Sequence, residues 1–298
     1  MKKVLVTGGS GFIGRHCLPM LVASGYEVHA VSIALEDPIP HVHWHVVDLL
    51  NPEEVNNLIL TVKPTHLLHL SWYTVVGKYW TSLENIRWVQ ASLELLRAFA
   101  ANGGKRVVMA GTCAEYEWKY ELYSEQTTPL VPATLYGACK HALQIMVDAF
   151  CRQTGLSHAW GRIFFLYGPH EHPDRLVSSV IRSLLQGESA RCSHGNQIRD
   201  FLHVEDVAGA FVALLDSDLS GPVNIGSGKP IAIREVVETI GSHLGRKHLL
   251  QFGALPTSPN DPPILSADIH RLESIAWRPK YDLNTGLQHT IEWWKAQQ

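Results

Sequence analysis

Apolar residues in the first two-thirds of the chain fall into short β-branched runs separated by longer segments of helical period. Val4–Thr7, Glu27–Ser32, Trp44–Asp48, Thr65–Ser71, Arg106–Ala110 and Ala159–Leu166 are the strand candidates. Ile13–Ser24, Leu83–Asn102 and Tyr136–Thr154 predict helices, the first bent at Pro19 and stopped by Gly25. This alternation predicts an α/β fold, a Rossmann-type doubly wound parallel sheet covered on both faces. From Tyr167 the pattern turns irregular, with prolines at 169, 173, 222 and 230 and a cluster from Pro256 to Pro263. We therefore expect a larger domain over 1–166, with 200–226 packing back onto it. Residues 167–199 and 227–298 would form a smaller C-terminal domain.

Composition narrows the class. At 298 residues there is room for one large domain or two unequal ones. The 25 basic and 28 acidic residues leave a net charge of −3, which gives a polyanion such as nucleic acid no purchase. Five cysteines, an odd number without paired spacing, predict reduced thiols and a cytoplasmic protein. Glycines break the apolar run after Met1-Lys2-Lys3, so a signal peptide is not expected there. No stretch approaches the roughly 18 apolar residues that a membrane span requires.

The opening segment Lys3-Val-Leu-Val-Thr7-Gly8-Gly9-Ser10-Gly11-Phe12-Ile13-Gly14 carries the first chemistry. Gly8, Gly11 and Gly14 bracket Phe12 and Ile13 between a strand and a helix. There they permit a sharp turn and bring backbone N–H groups against a pyrophosphate. The larger domain is therefore expected to bind a dinucleotide. NAD-selective sites end the second strand with a carboxylate; here that position is Ser32, and Arg15 stands by as a cationic partner for a 2′-phosphate. The expectation is NADP over NAD, with Glu36 or Asp37 the alternative ribose ligand. Asp48 and Leu49, after the third strand, are placed to contact adenine.

Tyr136 and Lys140 stand one helical turn apart, so their side chains share a face. Thr112 ends an apolar run 24 residues before Tyr136. A phenol titrates near 10, and a neighbouring ammonium favours its ionised form, bringing it toward the range where it exchanges protons. A hydroxyl at Thr112 can hold the same substrate oxygen. A phenol, an ammonium and a hydroxyl beside a dinucleotide loop predict a redox enzyme.

At this point the chain resembles the extended short-chain dehydrogenase/reductase family of NAD(P)-dependent sugar-nucleotide epimerases, dehydratases and reductases. The resemblance spans nearly the whole length. It rests on the glycine loop, His69-Leu-Ser71, Asn85, Ala110-Gly-Thr112-Cys-Ala-Glu-Tyr116, Tyr136-Gly-Ala-Cys-Lys140, Arg162 through Tyr167-Gly-Pro169, Arg199-Asp-Phe-Leu-His-Val-Glu-Asp206 and Asn224-Ile-Gly226. It implies Thr112 as substrate polariser, Tyr136 as acid/base, and Lys140 as tuner of Tyr136 and ligand of the nicotinamide ribose. Leu70 and Ser71 join the coenzyme set. The smaller domain is implied to bind a nucleotide-sugar, and the two long helices to form a homodimer interface, although burial against their own sheet accounts equally well for most of their apolar residues.

Dehydratases of this family carry Asp-Glu directly after the catalytic Thr; here Cys113 and Ala114 occupy those places. Glu115 comes one residue later and, on a continuing strand, is expected to point away. Elimination is therefore disfavoured. Reduction of a 4-keto-6-deoxy sugar nucleotide is preferred because it agrees with NADPH, with 4-epimerisation the alternative. A non-catalytic NAD(P) sensor is the rival from another class. Phe165 stands where many members have Asn, and Ser258-Pro-Asn-Asp261 where an Arg often precedes Pro-Gly-Asp. Arg199 is then left as the main phosphate ligand. Trp72, Tyr73, Trp118, Tyr120 and Tyr123 are expected to line a sugar or base pocket or to seal the domain interface. His41, His43 and His45 are expected to share a solvated strand face, with no ligand set for a metal.

Overall fold

A computed structural model describes residues 2–257 and 261–298. In chain order the elements are β1 (Lys3–Thr7), α1 (Gly14–Ala23), β2 (Glu27–Ser32), β3 (Val42–Val46), α2 (Pro52–Val62), β4 (His66–His69), α3 (Glu84–Ala101) and β5 (Arg106–Thr112). A 3₁₀ turn at Cys113–Glu115 leads to β6 (Leu122–Tyr123), α4 (Leu135–Thr154), β7 (Ser157–Ile163), β8 (Phe165–Tyr167), α5 (Leu176–Gln186), β9 (Ala190–Arg191) and β10 (Ile198–His203). There follow α6 (Val204–Asp216), β11 (Gly221–Ile225), β12 (Pro230–Ala232), α7 (Ile233–His243), β13 (Leu250–Gln251), β14 (Ile264–Ala267), α8 (His270–Glu273) and α9 (Leu283–Lys295).

Seven parallel strands form the main sheet in the order β3-β2-β1-β4-β5-β7-β11. The order reverses between β1 and β4, and the crevice beyond the strand ends at such a switch point is where doubly wound sheets take their ligands. Its strands read as nearly continuous apolar runs because both faces are covered. On one face α1 and α6 pack with Leu18, Leu21, Phe211 and Leu214; on the other α2, α3 and α4 pack with Ile59, Phe99, Leu143 and Val147. Helix ends are set by local chemistry. Asn51, Thr134 and Asp282 cap α2, α4 and α9 through side-chain oxygens.

The rest of the chain builds a second sheet, β12-β10-β14-β6, with β8 also paired to β10. Residues 200–226 divide between the two sheets. Most of β10 lies in that stretch yet belongs to the second, whereas α6 and β11 return to the first. Asp200 fastens the junction. Fully buried, it accepts from Ser227 N at 2.6 Å, Ser227 Oγ at 2.7 Å, Gly228 N at 2.9 Å and Ala267 N at 3.1 Å.

Three strand candidates break, shift or shorten, while β1 and β5 run slightly longer than expected. Ala159–Leu166 is not one strand: the Phe164 N–H turns to Ile225 O at 3.0 Å, and the chain leaves β7 for β8 in the other sheet. Trp44–Asp48 shifts to Val42–Val46, because Asp48 Oδ1 accepts the Leu50 N–H at 2.9 Å and closes a turn. Thr65–Ser71 shortens to β4, freeing Leu70 and Ser71 for the phosphate loop. His41 lies outside β3 at φ 63°, so it does not share the histidine face. His43 and His45 of β3 stack instead on His29, centroids 4.9 and 5.1 Å away.

Candidate active site

The glycine loop is a cradle that side chains would fill. Gly8 adopts φ +69°, and a Cβ on Gly14 would lie 2.0 Å from the Gly8 carbonyl oxygen. Beneath it Thr7 Oγ1 is 2.7 Å from His69 Nδ1, and His69 Nε2 is 2.8 Å from Ser92 Oγ. Ser92 gives its own proton to Trp88 O at 2.7 Å, so His69 donates through Nε2 and accepts from Thr7. Thr7 Oγ1 then accepts the N–H groups of Leu70 at 3.2 Å and Ser71 at 3.4 Å. This ties the ends of β1 and β4 together under the loop. Phe12 and Ile13 are half-buried beside it, while Asp48 is exposed and Leu49 buried.

At the end of β2, Ser32 is buried and donates to Glu36 Oε1 at 2.7 Å. A carboxylate is therefore brought beside the strand end although none stands at position 32. Arg15 is already engaged: Nη2 donates to Ser10 O and Nη1 lies against His170 Nδ1, both at 2.6 Å.

Thr112, Tyr136 and Lys140 converge at the ends of β4 and β5. Thr134 caps α4, its Oγ1 accepting the Gly137 N–H at 3.1 Å. A Cβ on Gly137 would lie 2.2 Å from Ala114 O, so this glycine lets the helix start seat against the turn after Thr112. Lys140, buried, donates to Ala110 O at 2.8 Å, and its ammonium sits 3.8 Å from the Trp72 ring centroid. Burial lowers Lys140 to about 7, with Glu115 opposing. The same burial raises the Tyr136 phenol above its ordinary value, while the Thr112 hydroxyl pulls it down. The expected acidification of Tyr136 by Lys140 is thus not seen among the protein groups, because desolvation of the phenolate outweighs them.

The expected substrate residues scatter. Trp72 is buried against Lys140 and donates to Asn85 Oδ1 at 2.8 Å. Tyr73 packs half-buried on the α3 side. Tyr123 is core, packed on Tyr116 and Phe164, and Tyr120 is exposed. Arg199, expected as the main phosphate ligand, is buried and donates to Asp261 Oδ1 at 2.6 Å and to Ile198 O at 2.8 Å; a guanidinium so deep requires partners. Phe165, half-buried, has that guanidinium 5.4 Å from its ring centroid. The remainder of the 258–261 segment lies outside the described residues.

Trp118, from the expected aromatic set, joins two aromatic residues that no motif marked. Tyr79 and Trp80 pack edge-on against Tyr136 at 5.0 and 5.7 Å, and Trp118 meets Trp80 at 6.1 Å. The Tyr136 N–H donates to Trp80 O at 3.1 Å. Asn85 Nδ2 holds this loop through Tyr79 O at 2.7 Å and Ser82 O at 2.8 Å. Only the Trp/Tyr richness of residues 72–80 hinted at it in the sequence. Glu115 also departs from expectation: it lies in a 3₁₀ turn, and its carboxylate is wholly buried.

A doubly wound sheet with this loop and this triplet defines a nicotinamide-dinucleotide enzyme of the Rossmann class. The model of the NAD dependent epimerase/dehydratase family matches residues 4–226, and the chain belongs to that family. It is 28% identical to UDP-glucuronic acid decarboxylase 1 of Danio rerio, over 99% of this chain and 73% of that one. Among solved structures it is similar to the UDP-N-acetylglucosamine 4-epimerase of Methanobrevibacter ruminantium, at 26% identity and TM-score 0.89, covering 100% of this chain and 99% of that one. MoeE5 in complex with UDP-glucuronic acid and NAD is 29% identical with TM-score 0.88, covering 99% and 100%. The chain is thus an enzyme of the NAD-dependent sugar-nucleotide epimerase/dehydratase type. Among the described residues, no helix is long and apolar enough to cross a membrane.

Proposed function

We propose that the chain interconverts hydroxyl and ketone at C4 of a nucleotide-linked sugar, with NAD as resident coenzyme, and that the net reaction is 4-epimerisation. The convergence of Thr112, Tyr136 and Lys140 at the sheet's switch point carries this reading. NAD, when bound, supplies the acceptor and donor of hydride. The bare cradle over Gly8 and Gly14 fits its pyrophosphate, and Leu70 and Ser71, tied to Thr7 beside the loop, would help hold the coenzyme. Thr112 and Tyr136 hold the sugar oxygen, and Tyr136 removes or returns its proton. Lys140, fixed by Ala110 O, lends positive charge and would hold the nicotinamide ribose. Cys113, buried and pushed up to about 12, and Ala114 offer no acid/base pair for elimination.

The carboxylate of Glu36, held by Ser32, supports NAD over NADP, because an acid there binds ribose hydroxyls and repels a 2′-phosphate. Residues 167–199 and 227–298 would hold the nucleotide-sugar. Apolar Leu83, Ile86, Ile145 and Met146 exposed on or beside α3 and α4 would seal a homodimer. Five buried free thiols agree with a cytoplasmic setting.

Reduction of a 4-keto-6-deoxy sugar nucleotide with exchanging NADPH is the second reading. The wall of Tyr79, Trp80 and Trp118 around Tyr136 favours it, since a sugar must turn over between the two half-reactions of an epimerase. Mass spectrometry of coenzyme released on denaturation, with product analysis on a panel of nucleotide-sugars, separates the two. Epimerisation requires retained NAD and C4 isomers without net coenzyme change. Consumption of one NADPH per substrate replaces it with the reductase, and binding without turnover of any kind sinks both.

A further inference from the structure

Glu115 is a wholly buried carboxylate that no step above employs. It stands three residues after Thr112, and its Oε1 accepts the Thr112 N–H at 2.8 Å and the Trp160 indole N–H at 2.9 Å. Its Oε2 accepts Arg162 Nε at 2.7 Å. Strand β5 is bare where the carboxylate enters: a Cβ on Gly111 would lie 2.1 Å from Trp160 Nε1 and 2.7 Å from Glu115 Oε1. A buried charge persists only with partners, and here one partner is the backbone of the substrate-polarising residue.

Arg162 alone is an incomplete account of this carboxylate. The guanidinium gives Nη1 to Tyr116 OH at 3.1 Å and leaves Nη2 buried without a partner, so the pair is not a closed structural unit. The charge also reaches toward Lys140. Around Lys140 stand the Trp72 ring, Tyr136 on the same helix, His69 from β4 and Glu115, with Arg162 behind Glu115. His69, held neutral by burial, leaves Glu115 the anion acting on the ammonium.

We propose that Glu115 is a positioning residue for the redox step, orienting Thr112 through its backbone N–H and setting a negative charge in the turn that packs against the helix carrying Lys140. What it positions rests on the reading above, but its electrostatic part can be tested without a sugar substrate. Wild type, Glu115→Gln and Glu115→Gln/Arg162→Met are labelled with ¹³C-lysine and saturated with NAD. The Cε resonance of Lys140, assigned by its loss in Lys140→Met, is then followed with pH. Lys140 should lose its proton about one pH unit lower in both variants, a tenfold shift in the equilibrium. On the 4-epimerisation assay kcat should fall ~10²-fold, as expected for a misplaced reacting group, with KM little changed. The double variant should recover thermal stability without recovering either property. An unshifted Lys140 midpoint in whichever variant folds, or wild-type kcat in the double variant, would reduce Glu115 to a counter-ion for Arg162. If wild type lacks epimerase activity, the titration still decides the electrostatic part.

Discussion

Tyr136 holds its hydroxyl among Thr112, Tyr79 and Trp80, a setting that stabilises the neutral phenol. A protonated phenol is a donor in waiting, suited to a carbonyl oxygen, and the reverse transfer needs the charge brought by Lys140 and the oxidised coenzyme. Tyr136→Phe should therefore leave NAD affinity almost intact, measured by fluorescence quenching. It should lower kcat by about 10²–10⁴, the usual range for lost acid/base catalysis. A near-wild-type rate would remove Tyr136 as the proton carrier. The triplet was visible in the sequence because helical spacing alone puts Tyr136 and Lys140 on one face. The partners of Arg199 and Trp72 were not visible, since they come from residues 62 positions away for Arg199 and from a different element for Trp72.

At the scale of elements, the start of α4 decides whether the triplet assembles. Gly137 is the contact point, and Gly137→Ala would force a methyl against Ala114 O, 2.2 Å from its ideal position, and against Pro132 Cβ at 3.0 Å. Overpacking of this kind costs about 1–3 kcal/mol. The variant should unfold several degrees lower, at about 2–4 °C per kcal/mol for a chain of this size. Its kcat should drop more steeply than its stability, because the helix carries Tyr136 and Lys140 away from Thr112. Thermal melts paired with steady-state rates check this; a lowered Tm with unchanged kcat would mean the helix start does not set the geometry. The main strands and the helices α1, α3 and α4 were readable from apolar period, whereas α2 (Pro52–Val62) was not expected. Nor was the break at Phe164, because Ile163, Phe164, Phe165 and Leu166 run on without a turn residue and only their different sheet partners separate β7 from β8.

Across the molecule, a buried carboxyl makes stability depend on pH. Glu171 follows β8 and is shielded from water; Ser178 Oγ donates to it at 2.8 Å, and burial lifts it from 4.5 to about 7. A raised acid binds its proton more tightly folded than unfolded. Its stabilising contribution is therefore full below pH 4.5 and is lost as pH climbs toward 7, by up to ~3 kcal/mol. Glu171→Gln, neutral at every pH, should lack that decline and be the more stable form at pH 8. Denaturant unfolding of both proteins between pH 5 and pH 8 measures it. Parallel curves would mean that Glu171 ionises freely in the folded state.

Local rules were enough for the parallel sheet, the phosphate loop and the Thr112–Tyr136–Lys140 set, because strand alternation, glycine conformation and helical spacing act over a few residues. Which residues face the site was decided by long-range closure. The return of β11 to the main sheet, the seating of Tyr79 and Trp80 on Tyr136, and the burial of Glu115 against Trp160 and Arg162 each join distant segments. Desolvation, which sets the charge states of Tyr136 and Lys140, exists only once those segments have closed around them.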